Sequence, residues 1–546
     1  MKLVNNLIIK QLILPLVCSI ILTIIFLSPM LNKLESHLYS DQDGLFIVWT
    51  IDQVSQRLIT GENIYNLPIL YNFANTLTFS DPYFSTAVFT IFLKIFTNNL
   101  ILINNLHLIL GTIMVFISMW LLTDFLFQSK TSAFLSALTF TFSGMHLGYL
   151  IHLHTYLIAG IPLSVLFFLK YLQKKQLRFI YFFTITFLYQ VLNAPMTGFF
   201  LCFIIFFLGV NQEIRQKTLY QLKKIVSFVL LIGLISVIFY LPYFQSASEL
   251  KSNRTIRDAA HFAVSFDQLV TPEIALAVVI LLILNHQQTK KGKLLVTDLS
   301  LWLMVIFGLL MMLGPVLKID NHTFKLLNLP IPLPYALFYY LLPGFKAFRA
   351  TSRFIVLVNF GLSLLLGMKL AKSNLLVTSK VLLILAWGCF LLFSQKDKYP
   401  LIEIETQMPE IYQLASTFVG QKMVELPAYT WDIQPLVFQE SLRLFYQTKH
   451  HLTLFNGTSG FVPTKREQDF YFLTTNFPNQ ESIIYLSNLG VRLVMIHFSQ
   501  YDELKNNYPG FEKLNNSGQL KQKIEEQLNL SLISCQQDDC LYLIKP

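Results

Sequence analysis

The chain has 546 residues, of which 54% are apolar and only 13% are charged, and its formal net charge is +10. Soluble domains usually carry about 25% charged residues, so the composition excludes an ordinary soluble protein and indicates a membrane protein. The basic residues lie in short loops and form no stripe interleaved with aromatic residues, which argues against a nucleic-acid partner.

An apolar stretch from Leu7 to Met30 opens the chain. It predicts an uncleaved membrane helix, because spanning takes about 20 residues and a signal peptide has a shorter core. A polar loop, 31–82, follows. The later apolar segments predict a polytopic α-helical membrane domain, 1–394, with about 11–13 transmembrane helices. These segments lie at 84–96, 100–123, 131–150, 155–172, 178–210, 224–243, 273–285, 297–316, 331–343, 351–371 and 377–394.

Loop charge predicts the side of the membrane. Four basic loops, near residues 175, 217, 291 and 372, are expected to be cytoplasmic. The segments expected outside are 31–82, 244–272, 317–350 and everything after about 395. A count of crossings from the N-terminus disagrees by one between residues 83 and 155. We therefore expect a half-length element at 84–96 or at 131–150.

Residues 395–546 predict a small extracytoplasmic α/β domain. Short apolar runs at 423–426 and 491–496 are typical of strands, while 409–418 and 518–528 are typical of helices. Cys535 and Cys540 flank a polar turn. They would form a disulfide in an oxidising compartment, or remain two free thiols.

The polar loop holds acidic residues suited to chemistry. Asp41 and Asp43 are two apart, so an extended segment would turn both carboxylates to one side. Such a pair suits Mg²⁺ or Mn²⁺, and either residue could instead be a general base. A solvated acidic loop, or a helix cap at Asp43-Gly44, is the alternative. Asp81, before Pro82, is either a substrate contact or a cap of the next helix.

The residues after Asp43 predict an amphipathic helix. Its apolar residues include Phe46 and Trp49, with Asp52 and Arg57 among the polar ones. This pattern is typical of a helix on the membrane surface, with Trp49 at the level of the headgroups.

Basic residues near 350 suit an anionic ligand. Arg349 and Arg353 are four apart and would share a helix face with Lys346, where guanidinium groups can grip a phosphate. Snorkelling to headgroups, or ion pairs with the outer domain, is the alternative. His152 and His154 would donate to a phosphate or bind a metal, or are ordinary interfacial residues.

The order of elements and several short phrases carry a family resemblance. The phrases are Leu342–Phe354, His152–His154 before Ile161-Pro162-Leu163, Val424–Pro427, Phe455–Gly460 and Leu489–Arg492. Together with the acidic loop, the helix bearing Trp49 and the soluble C-terminal domain, they resemble the GT-C superfamily of integral-membrane glycosyltransferases, in a poorly characterised bacterial branch.

The resemblance implies inverting transfer of a sugar from a polyprenyl-phosphate-linked donor, at the outer face of the bacterial cytoplasmic membrane. The acceptor would be a glycan, a lipid or a protein. Asp41 or Asp43 would be base and metal ligand, and Arg349 and Arg353 would hold the lipid phosphate. Many family members carry a basic residue with prolines before the second membrane segment. Here that place reads Ser80-Asp81-Pro82-Tyr83, so the phosphate contact must come from elsewhere.

The resulting hypothesis is a GT-C-type glycosyltransferase with Asp43 and Asp41 as catalytic residues. The predicted substrate-binding residues are Asp81, His152, His154, Lys346, Arg349 and Arg353. Two other functions stay open: a transporter or flippase for lipid-linked glycans, and a non-catalytic membrane assembly protein. A transporter should show two related halves with broken helices, and the sequence shows no such repeat.

Overall fold

A computed structural model of the chain describes residues 2–249, 255–287, 296–342, 344–347, 349–396, 398–429 and 436–545. The chain divides into two compact units. The first unit is Met1–Lys33, Asn105–Tyr240 and Asn253–Pro400, and the second is Leu34–Asn104, Leu241–Ser252 and Leu401–Pro546. The polar loop after the first helix thus belongs to the same unit as the C-terminal residues.

The α-helices follow one another along most of the chain. In chain order they are α1 Lys2–Phe26, α2 Ser28–Leu31, α3 Asp43–Thr60, α4 Phe84–Leu93, α5 Leu100–Phe127, α6 Lys130–Phe142, α7 Gly144–Leu147, α8 Leu153–Tyr156, α9 Gly160–Lys174, α10 Leu177–Asn193, α11 Pro195–Leu208, α12 Gln212–Tyr220, α13 Leu222–Glu249, α14 Ile256–His261, α15 Pro272–His286, α16 Asp298–Met312, α17 Pro334–Leu341, α18 Ile355–Lys372, α19 Val377–Gln395, α20 Glu410–Ala415, α21 Phe438–His450, α22 Thr464–Asn476, α23 Gln480–Asn488, α24 Phe498–Asn507 and α25 Ser517–Glu525. Short 3₁₀ turns occupy Thr76–Phe79, Phe266–Gln268, Phe345–Ala347 and Thr351–Phe354.

The strands are short and most lie in the second unit. They are β1 His37–Leu38, β2 Lys318–Ile319, β3 His322–Thr323, β4 Lys325–Leu326, β5 Leu329–Pro330, β6 Ile402–Glu403, β7 Lys422–Leu426, β8 Thr453–Leu454, β9 Leu493–His497, β10 Leu530–Gln536 and β11 Asp539–Ile544.

The prediction of a polytopic helical membrane protein is confirmed. Five of the described helical spans are long and apolar enough to cross a membrane, and a sixth is counted if α11 and α12, bent by 108°, form one span. The five are Leu100–Phe127, Leu153–Lys174, Leu222–Ser248, Thr351–Lys372 and Val377–Gln395. Four shorter apolar helices are Leu12–Phe26, Phe84–Leu93, Pro272–His286 and Asp298–Met312.

The predicted number of 11–13 spans is too high for the described residues, because several apolar segments are interrupted. The segment 131–150 breaks at Ser143 between α6 and α7. The segment 178–210 breaks at Ala194, where Pro195 begins a new helix. Both places at which a half-length element was expected hold a short helix: α4 has 10 residues and α6 has 13.

The first unit packs around α18, whose residues from Ile355 to Leu370 are all buried. Glycine allows α16 to approach it closely: a Cβ at Gly361 would lie 2.7 Å from the side chain of Val305. Small residues serve this purpose where helices meet in a membrane. The Asn359 amide nitrogen donates to the Phe140 carbonyl at 2.9 Å, which satisfies a buried polar group next to α6.

The second unit contains a five-stranded sheet in the order β10-β11-β9-β7-β8. The pairs β9–β7 and β7–β8 are parallel, and the pairs β10–β11 and β11–β9 are antiparallel. All five residues of β9 are buried, which explains its apolar sequence. The predicted C-terminal α/β fold, with strands near 423–426 and 491–496, is confirmed. Cys535 and Cys540 are register partners in the β10–β11 hairpin and form a disulfide.

The polar loop contributes to the same unit. β1 pairs with β6 through His37 opposite Glu403, and the Leu70 N–H donates to the Asn456 carbonyl at 2.9 Å. The expected surface helix is wrong. Trp49 is fully buried, and its indole N–H donates to Gln447 of α21. α3 is therefore a core helix of this unit, and its mixed pattern reflects buried polar contacts.

Candidate functional site

The acidic candidates lie at the start of α3. Asp43 is the first helical residue, and its backbone N–H donates to Ser40 Oγ at 3.2 Å. A carboxylate in the first turn is favoured by the positive end of the helix dipole. Gln42, and not Asp43-Gly44, occupies the cap position, and it makes no side-chain capping bond.

The expected geometry of the acidic pair is wrong in one respect. Gln42 has φ −86° and ψ −76°, which is helical backbone. The segment from Asp41 to Asp43 is consequently not extended, and the alternation that would turn both carboxylates to one side of a strand does not apply. Asp41 and Asp43 are both half-buried.

Gln42 was not predicted from the sequence as a site residue. Its amide nitrogen is buried and has no hydrogen-bond partner among the described residues. A buried donor without an acceptor is uncommon in native proteins, so Gln42 is a candidate contact for a ligand or an ordered water. The only signal in the sequence is its place between two acids.

Asp81 adjoins the same region of the second unit. A narrow cleft is lined by Phe46 and Thr50 of α3 and by Ser80, the residue before Asp81. α4 begins at Phe84 and its cap position is Tyr83, with φ +53°, so Asp81 lies two residues before the cap position. Asp81 is half-buried, and its role as a substrate contact stays a prediction.

A metal at the acidic pair stays a prediction as well. In the part of the chain that the structure describes, no group of three or more His, Cys, Asp or Glu side chains could hold a metal ion. Mg²⁺ is often held by only one or two protein carboxylates together with substrate phosphates and water. Either Asp41 or Asp43 could serve as such a carboxylate ligand, and the two residues do not form a complete metal site by themselves.

The basic candidates lie in the first unit, around Arg353. Arg353 is close enough to Tyr149 and His154 to interact electrostatically with both. The ring centres of His152 and His154 are 5.8 Å apart. The structure therefore gathers three predicted site residues into one cluster, which we call the Arg353 cluster: His152, His154 and Arg353, together with Tyr149.

Neighbouring chain segments hold the Arg353 cluster in place. The Asn193 amide nitrogen donates to the His154 carbonyl at 3.1 Å, and the Tyr149 hydroxyl lies 3.5 Å from the Ser352 carbonyl. Arg353 Nη1 approaches Met196 Sδ at 3.8 Å. Sequence reasoning missed Tyr149 and Asn193, because nothing in the local pattern links residues 149, 193 and 353.

The predicted shared face of Arg349 and Arg353 is wrong. Ala350 has φ −91° and ψ 91°, so no helix continues through it, and Arg353 lies in a separate 3₁₀ turn. The Arg349 guanidinium lies over the ring of Phe262, 4.7 Å from its centre. Lys346 is exposed and lies in the earlier turn Phe345–Ala347. Whether these two residues bind substrate stays a prediction.

His146 has a structural role. Nδ1 lies 2.8 Å from the Thr141 carbonyl and Nε2 lies 2.9 Å from the Tyr156 carbonyl. Its ring stacks on Tyr156 with centres 4.3 Å apart. Both ring nitrogens of His146 thus face backbone carbonyls.

The second unit contains a buried ionic cluster that was not predicted from the sequence. Arg443 lies 2.6 Å from Glu440 Oε1 and 3.4 Å from Glu425 Oε2. His497 lies between Glu425, at 3.2 Å, and Asp539, at 2.8 Å. Burial lowers the pKa of His497, but the hydrogen bonds to Asp539 and Glu425 outweigh it and raise this pKa above its ordinary value. The cluster ties strands β7, β9 and β11 to α21.

Similarity to known proteins appears at the level of structure. The sequence matches no protein-family model and no curated protein. Two structures of the arabinofuranosyltransferase AftD from Mycobacteria cover 98% of this chain at 11% identity, with TM-scores of 0.60 and 0.56. An oligosaccharyltransferase from Archaeoglobus fulgidus covers 97% of the chain and is covered to 73%, at 10% identity, with a TM-score of 0.47.

The chain spans less than half of AftD, 42% and 41% of its length in the two structures. At 11% identity the similarity shows a shared fold. It confirms the predicted fold class, with a helical membrane part and a small C-terminal part that contains a sheet.

Proposed function

We propose that this protein is a membrane glycosyltransferase that uses a polyprenyl-phosphate-linked sugar as donor, at the outer face of a bacterial cytoplasmic membrane. The observation that carries the proposal is the shared fold with an arabinofuranosyltransferase, which extends over 98% of the chain at a TM-score of 0.60. The acceptor would be a glycan, a lipid or a protein.

The Arg353 cluster supports a site for the donor phosphate. An arginine, two histidines and a tyrosine supply hydrogen-bond donors of the kind that phosphate oxygens accept. Cations within a membrane unit are costly unless an anion pairs with them. In this proposal Arg353 binds the donor phosphate and stabilises the negative charge that develops on it as the glycosidic bond breaks. Arg349 and Lys346 would assist.

The acidic residues would activate the acceptor. An acceptor hydroxyl attacks the anomeric carbon, the bond from that carbon to the phosphate oxygen breaks, and polyprenyl phosphate leaves with the electron pair. Asp43 accepts the hydroxyl proton as general base, and Asp41 orients the acceptor. Asp41 or Asp43 would be a ligand of a bound Mg²⁺ or Mn²⁺, which would supply further charge stabilisation. Attack from the side opposite the phosphate inverts the anomeric configuration.

The test is sugar transfer by the purified full chain with synthetic polyprenyl-phosphate-linked sugars and a panel of glycan and lipid acceptors. Asp41→Asn combined with Asp43→Asn should reduce transfer to background. Asp320→Asn, which changes an exposed carboxylate at a turn, is the matched control and should leave transfer unchanged.

Full transfer by the double variant would rule out the acidic mechanism. Movement of the lipid-linked sugar across vesicle membranes without turnover would instead favour a transporter. The absence of both activities would favour the assembly-protein alternative.

A further inference from the structure

A basic groove in the first unit points to a ligand other than the sugar donor. The groove lies between the end of α9 and α12 and has a volume of about 280 Å³. Lys175, Lys217 and Tyr220 line it, together with the amides of Gln173 and Gln216. None of these residues takes part in the proposed transfer.

The walls of the groove are built by specific contacts. Asn211 caps α12 by accepting the N–H groups of Glu213 at 2.8 Å and of Ile214 at 3.3 Å. The buried Tyr171 of α9 donates to Gln221 Oε1, just after α12, at 3.2 Å. α12 is therefore fixed against α9 after the 108° bend that separates it from α11.

Positive charge is in large excess around the groove. Between residues 170 and 224 the only carboxylate side chain is Glu213, against eight cations. The cations are Lys170, Lys174, Lys175, Arg178, Arg215, Lys217, Lys223 and Lys224. Among the described contacts of this set, the only ion pair is Lys217 with Glu213, at 2.6 Å. Such a half-exposed pair contributes little, so an anion can compete for Lys217.

Lys175 is positioned to face an anion. It ends α9 in the left-handed conformation, with φ +54°, and its ammonium lies 4.5 Å from the centre of the Tyr220 ring. A cation over a tyrosine ring retains its charge and gains some order. The side chain is thus held beside the groove without a carboxylate partner among the described contacts.

Exposed apolar surface begins where the groove ends. Leu177, two residues after Lys175, is 47% exposed, and Leu222, next to Gln221, is 45% exposed. Further along α10 and α13, Tyr181 and Phe228 meet edge to face with centres 5.3 Å apart. In a membrane protein such surface contacts acyl chains. Cations beside acyl-facing helices are typical of sites for anionic headgroups.

We propose that this groove binds the headgroup of an anionic phospholipid, with its phosphate between Lys175 and Lys217 and its acyl chains along α10 and α13. The glutamine amides donate to the glycerol and phosphate oxygens. A zwitterionic headgroup adds a cation that the surrounding lysines and arginines repel, so the groove selects anionic lipids.

The test is native mass spectrometry of the purified full chain in detergent, titrated with phosphatidylglycerol or with phosphatidylcholine of the same acyl composition. Lys175→Gln with Lys217→Gln should weaken phosphatidylglycerol binding about fivefold for each lysine. Arg215→Gln with Lys224→Gln removes equal charge at exposed positions outside the groove and should weaken binding clearly less than the groove pair does, because salt screens exposed charges that make no contact with the headgroup.

Three outcomes would overturn the proposal. They are equal losses in both pairs of variants, equal binding of the two lipids, and complete displacement of the lipid by inorganic phosphate at the same concentration. If the double variant fails to fold, Lys175→Asn replaces it. Asparagine adopts the left-handed conformation readily and leaves the Lys217–Glu213 pair intact. Lys175→Asn should weaken phosphatidylglycerol binding about fivefold, the loss expected for one lysine. Unchanged binding by this variant would also overturn the proposal.

Discussion

The indole N–H of Trp49 donates to Gln447 Oε1 at 2.7 Å, across 398 positions of the chain. The Gln53 amide nitrogen, one turn along α3, lies 3.3 Å from the same oxygen. α3, which begins at Asp43, is thereby fixed to α21 within the second unit. Asp43 is therefore held on a packed helix, as a side chain that must be placed accurately requires, whereas Asp41 precedes that helix.

The first prediction concerns Arg353. Arg353→Gln should reduce kcat/KM for sugar transfer about a hundredfold, because the variant lacks the guanidinium that would stabilise the negative charge developing on the phosphate. The kcat/KM of Arg353→Lys should lie between those of Arg353→Gln and the parent, because an ammonium keeps the charge but lacks the planar guanidinium. Steady-state kinetics with a polyprenyl-phosphate-linked donor measures both.

Arg492→Gln is the matched control for Arg353, because Arg492 lies immediately before β9 and its guanidinium reaches only a backbone carbonyl, at 3.5 Å, among the described contacts. It should change kcat/KM less than about twofold. Parent-level activity in Arg353→Gln would contradict the role of Arg353 as the phosphate ligand.

The second prediction concerns pH. The folded-state pKa of His497 is raised above its ordinary value of 6.5, so its protonation stabilises the second unit. This contribution is fully present below the unfolded-state pKa and is lost as the pH rises through the folded-state pKa. The melting temperature of the parent should therefore exceed that of His497→Gln by about 2–4 °C near pH 6, and the difference should shrink toward pH 9.

His451→Gln, at an exposed histidine of the same unit, controls for histidine loss and should show no such trend. Thermal melting followed by near-ultraviolet circular dichroism across the pH range makes the comparison. A difference for His497→Gln that grows with pH would show that the histidine is buried in its neutral form.

The third prediction concerns the Cys535–Cys540 disulfide. If the second unit faces an oxidising compartment outside the cell membrane, a membrane-impermeant maleimide should label these cysteines in intact cells only after an impermeant reductant. The variant with serine at both positions keeps Cys18, Cys202 and Cys389 and should stay unlabelled. Labelling before reduction would contradict the disulfide, and no labelling after reduction would contradict the outer location.

The sequence predicted local features better than distant ones. Apolar runs located β7 and β9, because a strand buried on both faces has a continuous apolar pattern. The prediction of a membrane-surface helix around Trp49 was wrong. A helix packed against buried polar groups has the same alternation of apolar and polar residues as a helix that lies on a membrane. No local sequence pattern indicated that Gln447, 398 positions away, would accept the hydrogen bond from the Trp49 indole.

Several residues of the candidate site were predicted correctly from the sequence, but their arrangement in space was not. His152, His154 and Arg353 were named from the sequence and meet in the structure, although the expected helical face with Arg349 does not exist. The turn at Ala350 separates the two arginines. The Arg353 cluster depends on Tyr149 and on Asn193, whose places are set by tertiary packing and leave no local signal.

The last prediction compares two ion pairs of equal length and different burial. Lys94–Asp52 and Lys130–Asp124 both have N–O distances of 2.6 Å. The Asp52 side chain is 3% exposed, whereas Lys130 and Asp124 are 53% and 25% exposed. Lys94→Met should destabilise the protein by about 3 kcal/mol, since it removes the ion-pair partner of a buried carboxylate and leaves Arg57 as the remaining nearby cation. Lys130→Met should cost less than about 1 kcal/mol, because water screens an exposed pair.

Thermal melting of the full chain in detergent measures both losses, and a second substitution separates charge from packing. Asp52→Asn added to Lys94→Met removes the unpaired charge, while the amide oxygen that replaces the carboxylate can still accept the bond that Gln56 now donates to Asp52 at 2.8 Å. The double variant should recover most of the stability. If it melts no higher than Lys94→Met alone, the loss comes from the packing of the lysine stem, and the buried charge at Asp52 is not what makes Lys94 necessary.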